Sequence, residues 1–487
     1  MQPTDETPAA TTASRNENTP MATHLIDDSP LTRYHKRLIL ACSGGPFLDG
    51  YLLSIVGVAL TGASKDLALD SNAMGIAGAA SLIGLFVGSL VFGPITDRIG
   101  RRLMYTADLL LMIAASLACL WIGTGWQLIA LRFVVGLAVG ADYPIATSLL
   151  TEWMPKKYRG AVIGLLSTIW LVGAVLAYLV GYALTSAYGV QAWRWMLASG
   201  AVFGVIVLIL RMGAHESPRW LICRGRVEEA RRHIAAVLGR DVTTQEVTAL
   251  VGSEEQPQQT ASLIELARGD YLRRVLFCGL TWMCIAIPQF ALFTYGPIIL
   301  SQFGFGDGGA EETLGQIILN LGFLVGSLPA LRWVETRGRR PLMIGSFLLG
   351  ALALLPLGIW PDAPGWFVIT FFFLFTLING AGTILVFIYP NELFPTQVRA
   401  SAVGVATAIS RLGAAIGTYL VPLSLSGIGT GPTMLIGVGL TVLGLIISIF
   451  WAEETRNRSL TATAGGTDPA ARDVRPTLTG EARKSPA

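Results

Sequence analysis

Asp97-Arg98-Ile99-Gly100-Arg101-Arg102 and Glu335-Thr336-Arg337-Gly338-Arg339-Arg340 are one pattern written twice, 238 residues apart. A second pair keeps almost the same offset. Thr151-Glu152-Trp153-Met154-Pro155-Lys156-Lys157-Tyr158-Arg159-Gly160 and Asn391-Glu392-Leu393-Phe394-Pro395-Thr396-Gln397-Val398-Arg399-Ala400 share Glu, Pro and Arg at matched spacing, 240 residues apart. Two patterns repeated in order and in register indicate a duplicated chain. Each copy follows a long apolar run, so the duplicated unit is a set of membrane helices. A substrate site is expected near the midplane, where the two halves meet.

Working outward, the 487 residues are 52% hydrophobic and only 14% charged. A soluble chain of this length needs far more charge to cover its surface. The apolar residues fall in runs of about 20, the length that crosses a hydrocarbon core of roughly 30 Å. Six runs read at 38–60, 73–95, 103–123, 127–150, 160–185 and 194–212, and six more at 275–301, 313–334, 342–360, 365–389, 400–422 and 432–451. The expected fold is therefore all-α, a polytopic membrane protein of twelve spans in two pseudo-symmetric six-helix bundles, 35–212 and 273–452. Residues 1–34 and 453–487 have the polar composition of disordered tails, and the first lacks the pattern of a cleavable leader. Residues 213–272 form a polar linker, with a short amphipathic helix expected over 227–238.

Lys and Arg crowd the amino tail and the links after spans 2, 4, 6, 8 and 10, while the alternate links carry only Lys65 and Arg194. The positive-inside rule then places both termini and the linker in the cytoplasm, with the chain in the plasma (inner) membrane. The same rule accounts for the ten arginines between Arg211 and Arg274 without a nucleic-acid partner. The five cysteines show no CxxC pair and the four histidines lie outside or at the edges of the apolar runs. No metal set, cofactor motif or nucleophile–base pair is evident, so the expectation is a carrier and not an enzyme, acting as a monomer on a small molecule and protons within the bilayer.

Several segments resemble the major facilitator superfamily over the whole membrane domain. Gly93-Pro94-Ile95-Thr96-Asp97-Arg98-Ile99-Gly100-Arg101-Arg102 is similar to that family's loop signature, and Arg132, Gly136, Gly140 and Pro144 to its fourth-helix pattern. His215-Glu216-Ser217-Pro218-Arg219-Trp220-Leu221 resembles the sugar-porter segment after span 6, and Glu453-Glu454-Thr455-Arg456 the one closing span 12. The resemblance implies alternating access. It also implies a cytoplasmic gate in which Asp97, Arg98, Arg101, Arg102, Glu152 and Arg159 of one half face Glu335, Arg337, Arg339, Arg340, Glu392 and Arg399 of the other. Pairs that form across the halves in one state and break in the other would bias the equilibrium between states.

Ionisable residues inside spans cost roughly 2.5–3.5 kcal/mol each on insertion scales and are functional candidates by default. Asp49 on span 1 is the first choice for a proton-coupling carboxylate, with Arg132 as its modulating cation and Asp142 as a second carboxylate. Coupling requires a carboxylate that alternates between protonated and Arg-paired states. The bland alternative is a buried pair that only fixes helix packing. Asp108, near the end of span 3, reads as a packing or interface residue. Arg411, about 12 residues into span 11, matches a carboxylate or phosphate bidentately and is read as a substrate anchor; the alternative is a bridge to Asp49 or Asp142.

The sugar-porter likeness is partial. Leu52 stands where that branch has an Asp after Gly-Tyr, and Ser167, Ala174, Thr383 and Phe387 replace its polar or aromatic sugar contacts. Gly140-Ala141-Asp142-Tyr143-Pro144 and Asp49-Gly50-Tyr51 look more like the phosphate and organic-acid proton symporters, and Arg411-Leu412-Gly413-Ala414-Ala415 is similar to the aromatic-acid branch. The expectation is a proton symporter for a small organic anion, with Gln289, Tyr295, Asn320 and Asn379 as polar lining and Trp170 as a stacking wall. Sugar symport or uniport, efflux by proton antiport, and a receptor that keeps the fold without turnover are the alternatives.

Overall fold

The structure is a computed structural model that describes residues 26, 29–212, 215–252, 269–304, 310–394 and 396–456. Twelve helices among these residues are long and apolar enough to cross a bilayer. They are span 1 (Arg33–Asp66), span 2 (Ser71–Ile99), span 3 (Arg101–Ala118), span 4 (Gly125–Trp153), span 5 (Lys156–Tyr188), span 6 (Trp193–Ala198 continued by Gly200–Arg211), span 7 (Gly269–Gln302), span 8 (Ala310–Arg337), span 9 (Arg339–Ile359), span 10 (Gly365–Leu393), span 11 (Thr396–Gly427) and span 12 (Thr430–Trp451). Span 1 starts at Arg33, two residues inside the expected tail, because Thr32 and His35 form a reciprocal capping box there. The remaining tail, 1–25 and 457–487, lies outside the described residues.

Local chemistry sets the boundaries. Asp70 caps span 2 by accepting the Ala73 N–H at 2.7 Å. Gly100 and Gly338, the glycines of the duplicated pattern, adopt φ of 110° and 95°, a region that side chains other than glycine rarely enter. Each turns the chain directly from one span into the next, so the pattern needs glycine at that place. In the linker, Pro218–Cys223, Val227–Leu238 and Thr244–Gly252 are short helices. Ala230, Ile234 and Val237 of the middle one are buried at helical spacing.

Small residues let the spans approach. A Cβ on Gly136 or Gly140 would lie 2.0 and 2.3 Å from the backbone oxygens of Ser81 and Leu85, so spans 2 and 4 touch backbone to backbone. The fourth-helix pattern read in the sequence is thus a packing seam. The two halves meet through spans 1 and 7, 2 and 11, and 5 and 8. Because each half has an even number of spans, the linker and both duplicated loops share one face of the bundle, called here the linker face; the opposite one is the distal face.

Candidate functional site

Asp49 is buried in span 1, and its Oδ1 has no hydrogen-bond partner. Asp142, Arg211, Asp108 and Arg411 all lie within coulombic range of it. Arg132 is not among them. Its Nη1 donates to the Leu52 carbonyl at 2.9 Å, deep in the packed N-terminal half, so the expected Asp49–Arg132 pair does not form. Arg132 and Asp142 are ten residues apart on one helix, about 15 Å of rise; Asp142 meets span 1 at Gly45 and Arg132 meets it at Leu52, on either side of Asp49.

The cation that meets the carboxylates is Arg211, the last residue of span 6. Its Nη2 pairs with Asp142 Oδ1, and its Nη1 reaches Asp108 Oδ1 at 3.4 Å. Nη1 also donates to the Tyr105 carbonyl at 2.7 Å, and the guanidinium carbon stacks 3.5 Å from the Tyr105 ring centroid. Sequence reasoning counted Arg211 with the linker arginines. The available signal was that the apolar run of span 6 extends to it without a break. Asp108, read as a packing residue, belongs to the same cluster.

Between the halves, Arg411 is half-buried in the middle of span 11. Its guanidinium lies 5.4 Å from the ring centroid of Phe290 and 5.9 Å from that of Trp282, both on span 7. Trp282 packs edge-on against Phe387 of span 10 at 5.0 Å. Trp170 reaches across from span 5 to Phe290 at 6.2 Å and Phe293 at 5.3 Å. Two rings of span 7 therefore flank a guanidinium on span 11, backed by Phe387 of span 10 and Trp170 of span 5. Gln289, beside Phe290, is buried; Asn379 is buried with its Oδ1 unpartnered. Asn320 donates to the Gln316 carbonyl of its own helix at 2.8 Å.

Tyr295 has a different place from the one expected. Its hydroxyl donates across the halves to the Met74 carbonyl at 2.6 Å, at the distal end of span 2. Tyr178 donates likewise to the Phe293 carbonyl at 2.6 Å, and Tyr419 to Asn72 Oδ1 at 2.8 Å. Three tyrosines thus tie the halves together at the distal side.

At the linker face, ion pairs between described residues of the C-terminal half lie within that half. Arg339 pairs with Glu392 at 2.7 Å and Arg274 with Glu453 at 2.9 Å. The side chains of Asp97, Arg98, Arg101, Arg159 and Arg399 lie outside the described residues. Glu335, Arg337 and Arg340 are exposed; Arg340 Nη2 donates to the Ile449 carbonyl, and Arg337 lies over the Trp333 ring at 5.2 Å.

A duplicated network of hydrogen bonds also closes this face. After span 6, Glu216 accepts the Arg102 N–H at 3.0 Å, and Ser217 donates to Glu152. After span 12, Glu454 accepts the N–H groups of Arg339 at 3.0 Å and Arg340 at 3.1 Å, and Thr455 donates to Glu392. Glu216 and Glu454 are again 238 residues apart. Each half locks its own loop. Burial works against the charge of Glu454, but the backbone donors of Arg339, Arg456 and Arg340 hold its carboxyl below the ordinary glutamate value.

The family model described as "Sugar (and other) transporter" matches residues 38–464. The YaaU protein of Escherichia coli (strain K12) is 41% identical over 91% of this chain and 97% of its own. The niacin transporter NiaP of Acinetobacter baylyi is 27% identical over 80% of this chain and 87% of its own. The inward-open structure of the Escherichia coli xylose transporter XylE superposes with a TM-score of 0.76 at 21% identity, covering 88% and 99% of the two chains. The chain belongs to the sugar (and other) transporter family, a family of transporters and not of enzymes, and has its multi-pass membrane fold.

Proposed function

We propose that the chain is a proton-coupled symporter for a small organic anion carrying a planar ring, working as a single chain in the plasma (inner) membrane with both termini and the linker in the cytoplasm. The observation that carries this reading is Arg411: a half-buried guanidinium at mid-span, between the halves, flanked by Trp282 and Phe290, which pack in turn on Phe387 and Trp170. A guanidinium offers five donors and no acceptor, which suits a carboxylate, and aromatic walls suit a flat apolar body. The niacin carried by NiaP has that chemistry. Asp49, within coulombic range of Arg411, belongs to one electrostatic group with Asp108 and Asp142, so an anion that neutralises Arg411 favours a proton on these buried acids; by linkage, a proton there favours the anion. With the linker face taken as cytoplasmic, the tyrosine ties make the outer side the closed one.

Proteoliposome uptake under an imposed pH gradient, with aromatic carboxylates, aliphatic carboxylates and sugars in parallel, tests the reading. Carboxylate accumulation that collapses when the gradient is dissipated, and that Arg411→Ala weakens at least tenfold in KM, is the expected result. Gradient-driven sugar accumulation with carboxylates inert would replace it with the second reading, a sugar carrier, which the family's own description favours.

A further inference from the structure

Three carboxyl groups lie near the Arg211 guanidinium in the interior of the N-terminal half. The side chains of Asp108, Asp142 and Arg211 are 1%, 0% and 2% exposed. Gly45, one turn before Asp49, packs directly on this group: a Cβ there would lie 1.6 Å from Asp142 Oδ2 and 2.8 Å from Arg211 Nη2. Asp108 Oδ1 and Asp142 Oδ1 are held side by side on the two terminal nitrogens of Arg211. Two ionised carboxylates can only accept, so such a contact is repulsive unless a proton lies between them. Asp49 Oδ1, Asp108 Oδ2 and Asp142 Oδ2 are buried and lack hydrogen-bond partners.

The neighbouring groups do not supply the missing charge or donor. Tyr105 commits its hydroxyl to the Ala41 carbonyl at 3.2 Å, and Cys42 lies beside it. Arg411, from the other half, is within coulombic range of Asp49. Arg211 contributes one positive charge against two carboxylates in contact with it. One added proton balances that pair and gives one carboxyl a donor to offer the other.

We propose that Asp108 and Asp142 form a proton-sharing dyad clamped by Arg211, and that this dyad is the group that takes up and releases the coupled proton. Loading places one proton on a carboxylate oxygen, and the new O–H donates to the other carboxylate. Unloading returns that proton to water and leaves both carboxylates ionised against Arg211. Asp108 is then a proton-carrying residue, and Arg211 a positioning residue that keeps the two acids together. This proposal rests on the proton-coupled reading above.

Infrared spectroscopy of the purified full-length chain in liposomes, titrated with H+ in H2O and D2O, reads the proton without requiring a known substrate. A deuterium-sensitive protonated-carboxyl band at neutral pH is expected in the unaltered chain. It disappears in Asp108→Asn and in Asp142→Asn, survives in Asp49→Asn, and shifts in frequency in Asp108→Glu and Asp142→Glu, which guard against a variant that fails to fold. A band that survives Asp108→Asn in folded protein, is unmoved by Asp108→Glu, or vanishes in Asp49→Asn alone overturns the dyad. If the band behaves as expected but a pH gradient drives no carboxylate uptake, the dyad stands and the coupling reading fails. If uptake is gradient-driven while the band belongs to Asp49, the reverse holds.

Discussion

At the scale of single residues, the N-terminal half depends on a few side chains with little room for change. Gly45→Ala would thrust a methyl group into the Asp142 carboxylate, with backbone on one side and a buried ion pair on the other. We expect it to lower the thermal unfolding midpoint in detergent and to abolish uptake, while Gly437→Ala, whose added methyl meets only Leu354 at 3.6 Å, leaves both unchanged. Arg211→Met strands Asp108 and Asp142 together without a cation. Breaking a buried pair in this way costs about 3–5 kcal/mol, and the same melting assay checks it. Asp49, Asp142 and Arg411 could be found in the sequence because a charge inside an apolar run stands out. Arg211 is harder to place: the apolar run of span 6 reaches it without a break, yet an Arg at the end of a run also looks like the start of a loop until the helix bundle shows where it turns. Arg132 was visible for the same reason as Asp49, but only depth along the helix reveals that it meets a carbonyl and not a carboxylate.

At the scale of elements, the linker is fastened to the membrane domain by stacked rings. His215 stacks on Tyr34 of span 1 at 5.1 Å and on His233 of the Val227–Leu238 helix at 4.5 Å. Burial, then the neighbouring His233 and Arg102, pushes His215 below the ordinary histidine value. Burial does the same to His233, reinforced by Arg102 and Arg232 and opposed by Glu229 and Glu216. A histidine kept neutral in the fold binds fewer protons than its unfolded form, so this packing is fully stable above a pH of about 6.5 and weakens as pH falls below it. Hydrogen-exchange protection across 227–238, measured relative to the intrinsic rate, should therefore fall between pH 7.5 and 5.5, and His233→Phe should weaken that dependence. The Glu454 cap behaves as a capped helix start, and Glu454→Gln should cost about 1 kcal/mol and speed exchange at the Arg339 and Arg340 amides. The spans and their loops were legible because length, glycine and charge alternation are local properties. The caps by Glu216 and Glu454 were not, since a carboxylate more than a hundred residues away along the chain is joined to the loop only by the bundle.

At the scale of the molecule, the two halves are matched units joined at the distal side by Tyr178, Tyr295 and Tyr419. Each neutral hydrogen bond is worth about 0.5–1.5 kcal/mol, so removing all three hydroxyls should shift the balance toward a distal-open state by tenfold or more. Spin-label distances between the turn joining spans 1 and 2 and the distal end of span 11 should lengthen in the triple Tyr→Phe chain. An unchanged distance distribution would mean that the aromatic packing, and not the hydroxyls, holds this side shut. The duplicated patterns announced two halves and a midplane site. At the linker face each half also caps its own loop, Glu216 at Arg102 and Glu454 at Arg339 and Arg340.

The tyrosine ties have an electrical consequence. Breaking them separates only neutral groups, so the membrane potential, which acts on a moving charge at roughly 2.3 kcal/mol per 100 mV, has no lever on that contact. Voltage dependence must enter where Arg411, Arg211 and the buried acids sit, and currents recorded across the Tyr→Phe series should change in size while keeping the same voltage slope.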